Sequence, residues 1–344
     1  MNIVVLCGGL SNERDVSISS GTGVVKALRA RGHKAVLVDV FFGYTGSYSR
    51  PEEIFDLPQP ELGAAVGESL PDLAAVRASR KQSDDSLVGE NVVEICRAAD
   101  ITFLALHGEE GENGKLQAFF DIHGIRYTGC GYLGSAIAMN KGVTKSLLQT
   151  GGVSVPGGIR LKRGETPYGN VGFPCVVKPC SGGSSVGTYI VSDSAEYEEH
   201  IEMAFAYEDE LIVEQYIRGR ELTVGVMDGE AMPVIEIIPK SGFYDYKNKY
   251  QAGFTEELCP APLTAEETER VQREAEKVNR LLLIDAYCRV DFLMDGNGTI
   301  FCLEANTLPG MTPTSLIPQM AAAQGMDFGE LCEKIIEVSE AKYL

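Results

Sequence analysis

Val176-Val177-Lys178-Pro179-Cys180-Ser181-Gly182-Gly183-Ser184-Ser185-Val186-Gly187 decides how this chain is read. Cys175–Lys178 reads as a strand, the small residues after it as a loop, and Thr188–Val191 as the returning strand. Glycines let backbone N–H groups come close to phosphate oxygens, and serine hydroxyls add donors. Lys178 supplies a point charge at the strand end. In a P-loop the lysine follows the glycines; here it precedes them. Taken alone, the string also suits a flexible hairpin loop carrying an incidental lysine.

A second segment asks for a partner that brings charge. Cys288-Arg289-Val290-Asp291-Phe292 and Phe301-Cys302-Leu303-Glu304-Ala305-Asn306-Thr307-Leu308-Pro309-Gly310-Met311 flank the turn Asp295-Gly296-Asn297-Gly298. Arg289–Met294 and Thr299–Glu304 are expected to form a hairpin. Alternation puts Arg289 and Asp291 on one face, and Glu304 and Asn306 on one face of the next strand. Pairing gathers two carboxylates and an amide oxygen. Such hard oxygen donors suit a Mg²⁺ that also holds phosphates, although a solvated polar sheet face would look alike. Leu303 and Ala305 indicate a half-buried strand.

Further out, residues 2–7 are an apolar strand ending at Gly8-Gly9. A helix with Val24, Val25 and Leu28 on one face follows, stopped by Gly32, and Ala35–Val40 is the next strand. This order gives a parallel α/β unit, which Ile101–Leu106 extends to His107-Gly108. Gly8–Ser17 opens the first helix, as an anion site at its N-terminus or as a plain cap with Glu13 beside the dipole. Residues 43–90, rich in Gly, Pro, Ser and acids, read as surface excursions with one helix. Glu196–Tyr207 reads as a helix, and Leu211–Tyr216 and Glu221–Met227 as strands. Thr264 and Glu267 form a capping box before the buried stripe Val271, Ala275, Val278 and Leu282. Asp327–Lys342 is a terminal amphipathic helix.

The chain has 344 residues, enough for two or three domains, and 30 Lys+Arg against 49 Asp+Glu leave a net charge of −19. That charge disfavours nucleic acid and membrane surfaces as partners, since both are polyanionic. No apolar run reaches the roughly 20 residues of a membrane span. The N-terminus reads as a buried strand, not a signal peptide. Nine scattered cysteines without Cys-x-x-Cys spacing suggest a reducing cytoplasm and neither zinc nor a disulfide framework. Gly129-x-Gly131-x-x-Gly134 matches the dinucleotide fingerprint, but no acidic residue follows about 20 positions on, so NAD is not expected.

Read together and in order, these segments resemble the ATP-grasp fold, and specifically D-alanine–D-alanine ligases. The resemblance runs along nearly the whole chain. It is carried by residues 8–17, Leu-His-Gly-Glu-Glu-Gly-Glu-Asn-Gly (106–114), Tyr-Thr-Gly-Cys-Gly (127–131), Met-Asn-Lys (139–141) and 178–187. Phe243-Tyr244-Asp245-Tyr246 with Lys249-Tyr250, Arg289-Val-Asp291, and Glu304-Ala-Asn306 through Ser315 complete it. It implies an α/β chain in three parts: an N-terminal Rossmann-like parallel-sheet domain (1–129), a small central α+β subdomain (130–214) and a C-terminal α+β catalytic subdomain (215–344).

The resemblance also implies a reaction and a site. ATP phosphorylates one D-alanine, and the amine of a second displaces phosphate. Lys141, Lys178 and Ser185 would bind ATP phosphates, with Lys249 on the transferred one. Glu214, Gln215, Tyr216 and Ile217 would contact adenine, and Glu221 the ribose. Asp291, Glu304 and Asn306 would hold two Mg²⁺, with Mn²⁺ as a substitute. Arg289 and the Gly310 N–H would stabilise the oxyanion. Glu13 would anchor the first ammonium within a Glu13–Ser184–Tyr250 set, Ser315 the second carboxylate, and His107 would lie near the first substrate. Residues 241–256 would be a lid that excludes water. A cytoplasmic homodimer is implied too. Asn140 and Asn113 stand where the family commonly has Asp, and Leu308 where a small polar residue is frequent. A D-Ala–D-Ser or D-Ala–D-lactate ligase is the alternative within the family, and a nucleotide-binding regulator without turnover the alternative outside it.

Overall fold

The computed structural model describes residues 1–344 apart from 59–69, 81–85, 166–170, 184–185 and 241–254, and apart from the Glu109 side chain. Ser184, Ser185, Lys249, Tyr250 and most of the expected lid lie outside the described residues.

The chain opens with β1 (Asn2–Cys7), α1 (Arg14–Ala30) and β2 (Lys34–Asp39). A 3₁₀ turn (Pro51–Phe55), α2 (Leu73–Ser79) and α3 (Val92–Ala98) lead to β3 (Ile101–Leu104). These strands form a parallel sheet in the order β2-β1-β3. Ile3, Val4, Val5 and Leu6 are all buried, because helices cover both faces of such a sheet. α1 buries Val24, Val25 and Leu28 and stops at Gly32, whose φ of +88° favours glycine. The 43–90 stretch is less superficial than its composition suggests. Ile54 and Phe55 are buried in the core beside Val36, Val38 and Ile95.

α4 (Glu109–Glu112), α5 (Lys115–His123), α6 (Tyr132–Met139) and α7 (Lys141–Thr150) follow. Next come β4 (Gly158–Lys162), β5 (Cys175–Pro179), β6 (Tyr189–Val191), α8 (Ser194–Phe205) and β7 (Glu210–Gln215), with an antiparallel sheet ordered β4-β7-β5-β6. β8 (Gly219–Met227), β9 (Glu230–Pro239), β10 (Thr255–Leu258), α9 (Ala265–Leu281), β11 (Tyr287–Asp295) and β12 (Ile300–Asn306) give the sheet β10-β9-β8-β11-β12. The chain ends with α10 (Leu316–Ala323), α11 (Phe328–Glu340) and a 3₁₀ turn, Ala341–Tyr343.

Packing joins distant segments. Ala138, Leu148, Val153 and Val155 share a core with Val224, Val290 and Val278, so 130–155 packs on the β8–β11 sheet. Leu331 and Ile335 of α11 pack with Val24 and Leu28 of α1, which closes the end of the chain onto its beginning. Among the described residues no helix is long and apolar enough to cross a membrane. All nine cysteines are free thiols.

Candidate functional site

The glycine loop after β5 is held from outside. Lys141, at the start of α7, donates its backbone N–H to Cys180 O at 2.8 Å and its ammonium to Gly182 O. The same ammonium lies 3.6 Å from Glu304 Oε2. Asn140 caps this helix, accepting from Val143 N at 2.9 Å, so the amide serves where the family commonly has a carboxylate.

Lys178 points from β5 at the Glu214 carboxylate on β7, 2.5 Å away, and Lys145 from α7 meets the other oxygen at 2.6 Å. Glu214 is only 2% exposed. Burial alone would raise its carboxyl, but the two ammonium groups reverse the sign and hold it below the ordinary value. Burial pulls Lys145 down despite Glu214. Burial also opposes charge on Lys178, yet Glu214 and Glu304 override it and raise Lys178 above the ordinary value. Glu214, expected at adenine, lines the cleft together with Gln215, Tyr216 and Ile217, and its carboxylate bridges two lysines. Lys145 had no place in the sequence reading, though its i,i+4 spacing from Lys141 puts both on one helical face.

On β11 and β12 the register pairs Arg289 with Asn306 and Asp291 with Glu304. Arg289 forks onto Asp291 at 2.9 and 2.8 Å. Thr223 Oγ1 donates to Asp291 Oδ1 at 2.6 Å and Asn306 Nδ2 to Oδ2 at 3.1 Å. Two donors therefore meet each oxygen, about the full capacity of a carboxylate. Same-face placement of Arg289 with Asp291 agrees with alternation.

These groups border one cleft of about 570 Å³, lined by Lys141, Lys178, Gly183, Asp291, Leu303 and Glu304. Gln215, Tyr216, Ile217 and Glu221 line the same cleft. A second cavity, about 280 Å³, holds Glu13, Gly108 and Glu208 and shares Pro179, Gly182, Gly183 and Val186 with the first. A Cβ on Gly183 would lie 3.4 Å from Glu13 Oε2. The glycine loop is thus the common wall between Glu13 and the lysines.

Hydrogen bonds bolt the first loop to the β3 end. Ser11 Oγ donates to His107 O at 2.6 Å and Ser17 Oγ to Ala105 O at 2.7 Å. His107 Nδ1 sits 3.1 Å from Leu308 O and Nε2 2.9 Å from Ser20 Oγ. A carbonyl only accepts, so Nδ1 carries the proton and Nε2 accepts from Ser20. Ser20 Oγ in turn accepts from Met311 N at 3.3 Å. Burial lowers the His107 pKa, which keeps the ring neutral. Ser315 Oγ accepts from Thr312 N at 3.0 Å, and a Cβ on Gly310 would stand 2.6 Å from it. Gly310 thus lies against Ser315, between Leu308 and Met311.

Glu112 is a second residue without an assigned role in the sequence reading. It accepts from Gly108 N at 3.1 Å. Burial and the negative charge of Glu13 push its carboxyl up to about 8. Its sequence signal was only its place between His107 and Gly114. The dinucleotide-like glycines serve packing: Gly129 faces Leu308, and a Cβ on Gly134 would come 2.4 Å from Leu283 O.

Comparisons with known proteins agree with this geometry. The family models "D-ala D-ala ligase N-terminus" and "D-ala D-ala ligase C-terminus" match residues 2–130 and 161–337. A D-alanine–D-alanine ligase of Lacticaseibacillus casei is 42% identical over 339 residues, 98% of this chain and 95% of that protein. The crystal structure of D-alanine–D-alanine ligase from Bacillus anthracis complexed with ATP superposes with a TM-score of 0.75 at 28% identity, covering 99% of this chain and 98% of that one. The VanG D-Ala:D-Ser ligase of Enterococcus faecalis gives 0.73 at 27%, covering 98% of this chain and all of that one (100%). Two antiparallel sheets closing on a lysine-and-carboxylate cleft, beside a parallel sheet that brings Glu13 and His107, form the ATP-grasp architecture, and the chain belongs to the D-alanine–D-alanine ligase family.

Proposed function

We propose that this protein joins two D-alanines to D-alanyl-D-alanine at the expense of ATP, for peptidoglycan precursor synthesis. The observation that carries the reading is the shared glycine-loop wall: Lys141, Lys178, Asp291 and Glu304 on one side and Glu13 on the other. A triphosphate in the larger cleft then meets an amino acid in the smaller one.

The chemistry divides into two transfers. A carboxylate oxygen of the first D-alanine attacks the γ-phosphorus, the bond to the β-bridging oxygen breaks, and ADP and a D-alanyl phosphate result. The amine of the second D-alanine, having lost a proton, attacks the acyl carbon, and the tetrahedral species expels phosphate. Lys141 and Lys178 neutralise the triphosphate, with Ser185 and Lys249 assigned to the same anion. Glu214, Gln215, Tyr216 and Ile217 are assigned to the adenine end and Glu221 to the ribose. Glu13 anchors the first ammonium, in a set with Ser184 and Tyr250. Arg289 and the Gly310 N–H receive the oxyanion of the tetrahedral step, and Ser315 the second carboxylate. Neutral His107 fixes the Leu308 carbonyl and so the approach of that loop.

The donor set also fits a hard cation. Asp291 and Glu304 face each other in register on the cleft, with Asn306 beside them. Two carboxylates and an amide leave the remaining positions of a Mg²⁺ to phosphate oxygens and water, as is usual for that ion. Asp291, Glu304 and Asn306 would hold two Mg²⁺, or Mn²⁺ in their place, which would supply positive charge against the charge developing in the transfer. Asp291 would exchange part of its Arg289 fork for the cation. ATP and nine free thiols suit a cytoplasmic setting.

The test is phosphate release and dipeptide analysis with ATP and D-Ala alone, against D-Ala plus D-Ser or D-lactate. Dipeptide from D-Ala alone is expected. If only a mixture gives product, the D-Ala–D-Ser or D-Ala–D-lactate reading replaces this one.

A further inference from the structure

The edge of the N-terminal parallel sheet is finished by side chains from the far end of the chain. Residues 126–129 run beside β3: Thr102 N donates to Arg126 O at 2.8 Å and Thr128 N to Thr102 O at 3.0 Å. The opposite edge of this segment faces where another strand would pair. Tyr127 N donates to Tyr343 Oη at 2.8 Å, and that hydroxyl donates to Tyr127 O at 3.0 Å. Gly129 N donates to Ser339 Oγ at 2.9 Å, and Lys342 Nζ donates to Gly129 O at 2.5 Å. All four backbone groups of Tyr127 and Gly129 are therefore held by three residues more than 200 positions away. The Lys342 ammonium also lies 4.0 Å from the Tyr127 ring centre and 5.4 Å from that of Tyr343, a favourable placement for a cation.

What Gly129 touches on its other side gives this clamp a consequence. Its φ is +85°, and a Cβ there would lie 3.0 Å from Leu308 Cδ2 and 3.7 Å from Thr307 O. Leu308 O is pinned by His107, and Met311 N by Ser20. The turn from Leu308 to Met311 is thus gripped by two hydrogen bonds and backed by Gly129, with Gly310 between the grips.

We propose that Lys342 and Tyr343 are positioning residues for ligation: through Gly129 they seat Leu308 and so aim the Gly310 N–H. The inference rests on the oxyanion role given to Gly310 under Proposed function. Neither side chain lines the nucleotide cleft, so the clamp acts on turnover and not on ATP. Small misplacements of groups that act in a transition state are expensive. Y343F and K342M should therefore lower kcat about tenfold while leaving the KM for ATP unchanged, and K342R should restore most of the loss.

The deciding experiment combines steady-state kinetics of these three variants with amide hydrogen exchange on the full-length chain. Faster exchange is expected at residues 126–130 and also at 305–312, with the β4–β7 sheet unaffected. Wild-type kcat in folded Y343F and K342M overturns the proposal. So does a fall in kcat that merely tracks the folded fraction, or exchange that rises at 126–130 alone. If the wild-type chain makes no dipeptide, the ligase reading fails by itself, and unchanged exchange at 305–312 in Y343F would then remove the clamp as well.

Discussion

Replacing Glu214 with Gln tests the electrostatic centre of the cleft. The side chains of Glu214, Lys145 and Lys178 are 3%, 11% and 12% exposed, and both ion pairs are 2.6 Å or shorter. At an effective dielectric of about 20, opposite charges some 4 Å apart attract by about 4 kcal/mol. Desolvating each ion costs several kcal/mol, so the intact triad is worth little net. Deleting its single anion is different, because two buried ammonium groups then stand without it, a loss of about 3–5 kcal/mol. Lys145 recovers part of that by losing its proton, since burial already pulls its pKa down. We expect E214Q to be destabilised by about 3 kcal/mol at pH 7, and by less at pH 9. On the acid side the sign reverses. The Glu214 pKa is depressed on folding, so its contribution is complete above the ordinary value of 4.5 and is lost as pH falls toward the folded value. The two stability curves should converge on acidification. Urea unfolding followed by far-UV circular dichroism is the assay, as the chain has no Trp. A loss under about 1 kcal/mol that is equal at pH 7 and pH 9 would refute this account of the triad.

Arg289→Ala should lower kcat by about 10²–10³ while ATP binding persists; ligation at the wild-type rate removes Arg289 from the oxyanion site. Chelating divalent ions should stop phosphate release, and E304Q should raise the Mg²⁺ concentration needed for half-maximal rate, measured by Mg²⁺ titration; an unchanged titration sinks the metal assignment. Glu112 is held up to about 8 by burial and by Glu13, so it is neutral at pH 7 and a second negative charge beside Glu13 appears above pH 8. The wild type is therefore expected to lose activity through pH 8, and E112Q to keep the rate at pH 7 without that fall, read from paired pH–rate profiles; the same alkaline limb in both would remove Glu112 from the pH response.

Local chemistry was legible in the residues themselves. Thr264 and Glu267 exchange the capping-box hydrogen bonds, at 2.8 Å to Glu267 Oε2 and 3.2 Å to Thr264 Oγ1, and α9 starts at Ala265. Arg289 and Asp291 meet because period-two alternation is a property of any strand. The Glu214 partners were not legible, since α7 and β5 reach it across the fold and no spacing near Glu214 announces them. Ile54 and Phe55 sit in a polar stretch whose average composition hides two core residues. The glycines 129, 131 and 134 matched a local string, while their actual demand comes from Leu308 and Leu283, which are far away in sequence.

The β11–β12 pair shows most sharply where a strand pattern stops being sufficient. Alternation assigns Leu303 and Ala305 to the inner face and Glu304 to the cleft. In the structure Asp291 pairs with Glu304 but Phe292 pairs with Cys302, so Leu303 is an extra residue on β12. A bulge of this kind sets two residues against one and turns a side chain off its face. Leu303 and Glu304 consequently both line the cleft, which neighbours in a regular strand cannot do, while Cys302 and Ala305 stay buried. The cleft thereby gains an apolar wall and a carboxylate from adjacent positions, and Glu304 still faces Asp291. No glycine marks the bulge, so only the partner strand reveals it. Were the ladder regular, Phe292 would oppose Leu303, and the fully buried Cys302 would lose its place against Phe292. The register that assembles the carboxylates and the packing that buries β11 are therefore one constraint, satisfied together by a single extra residue.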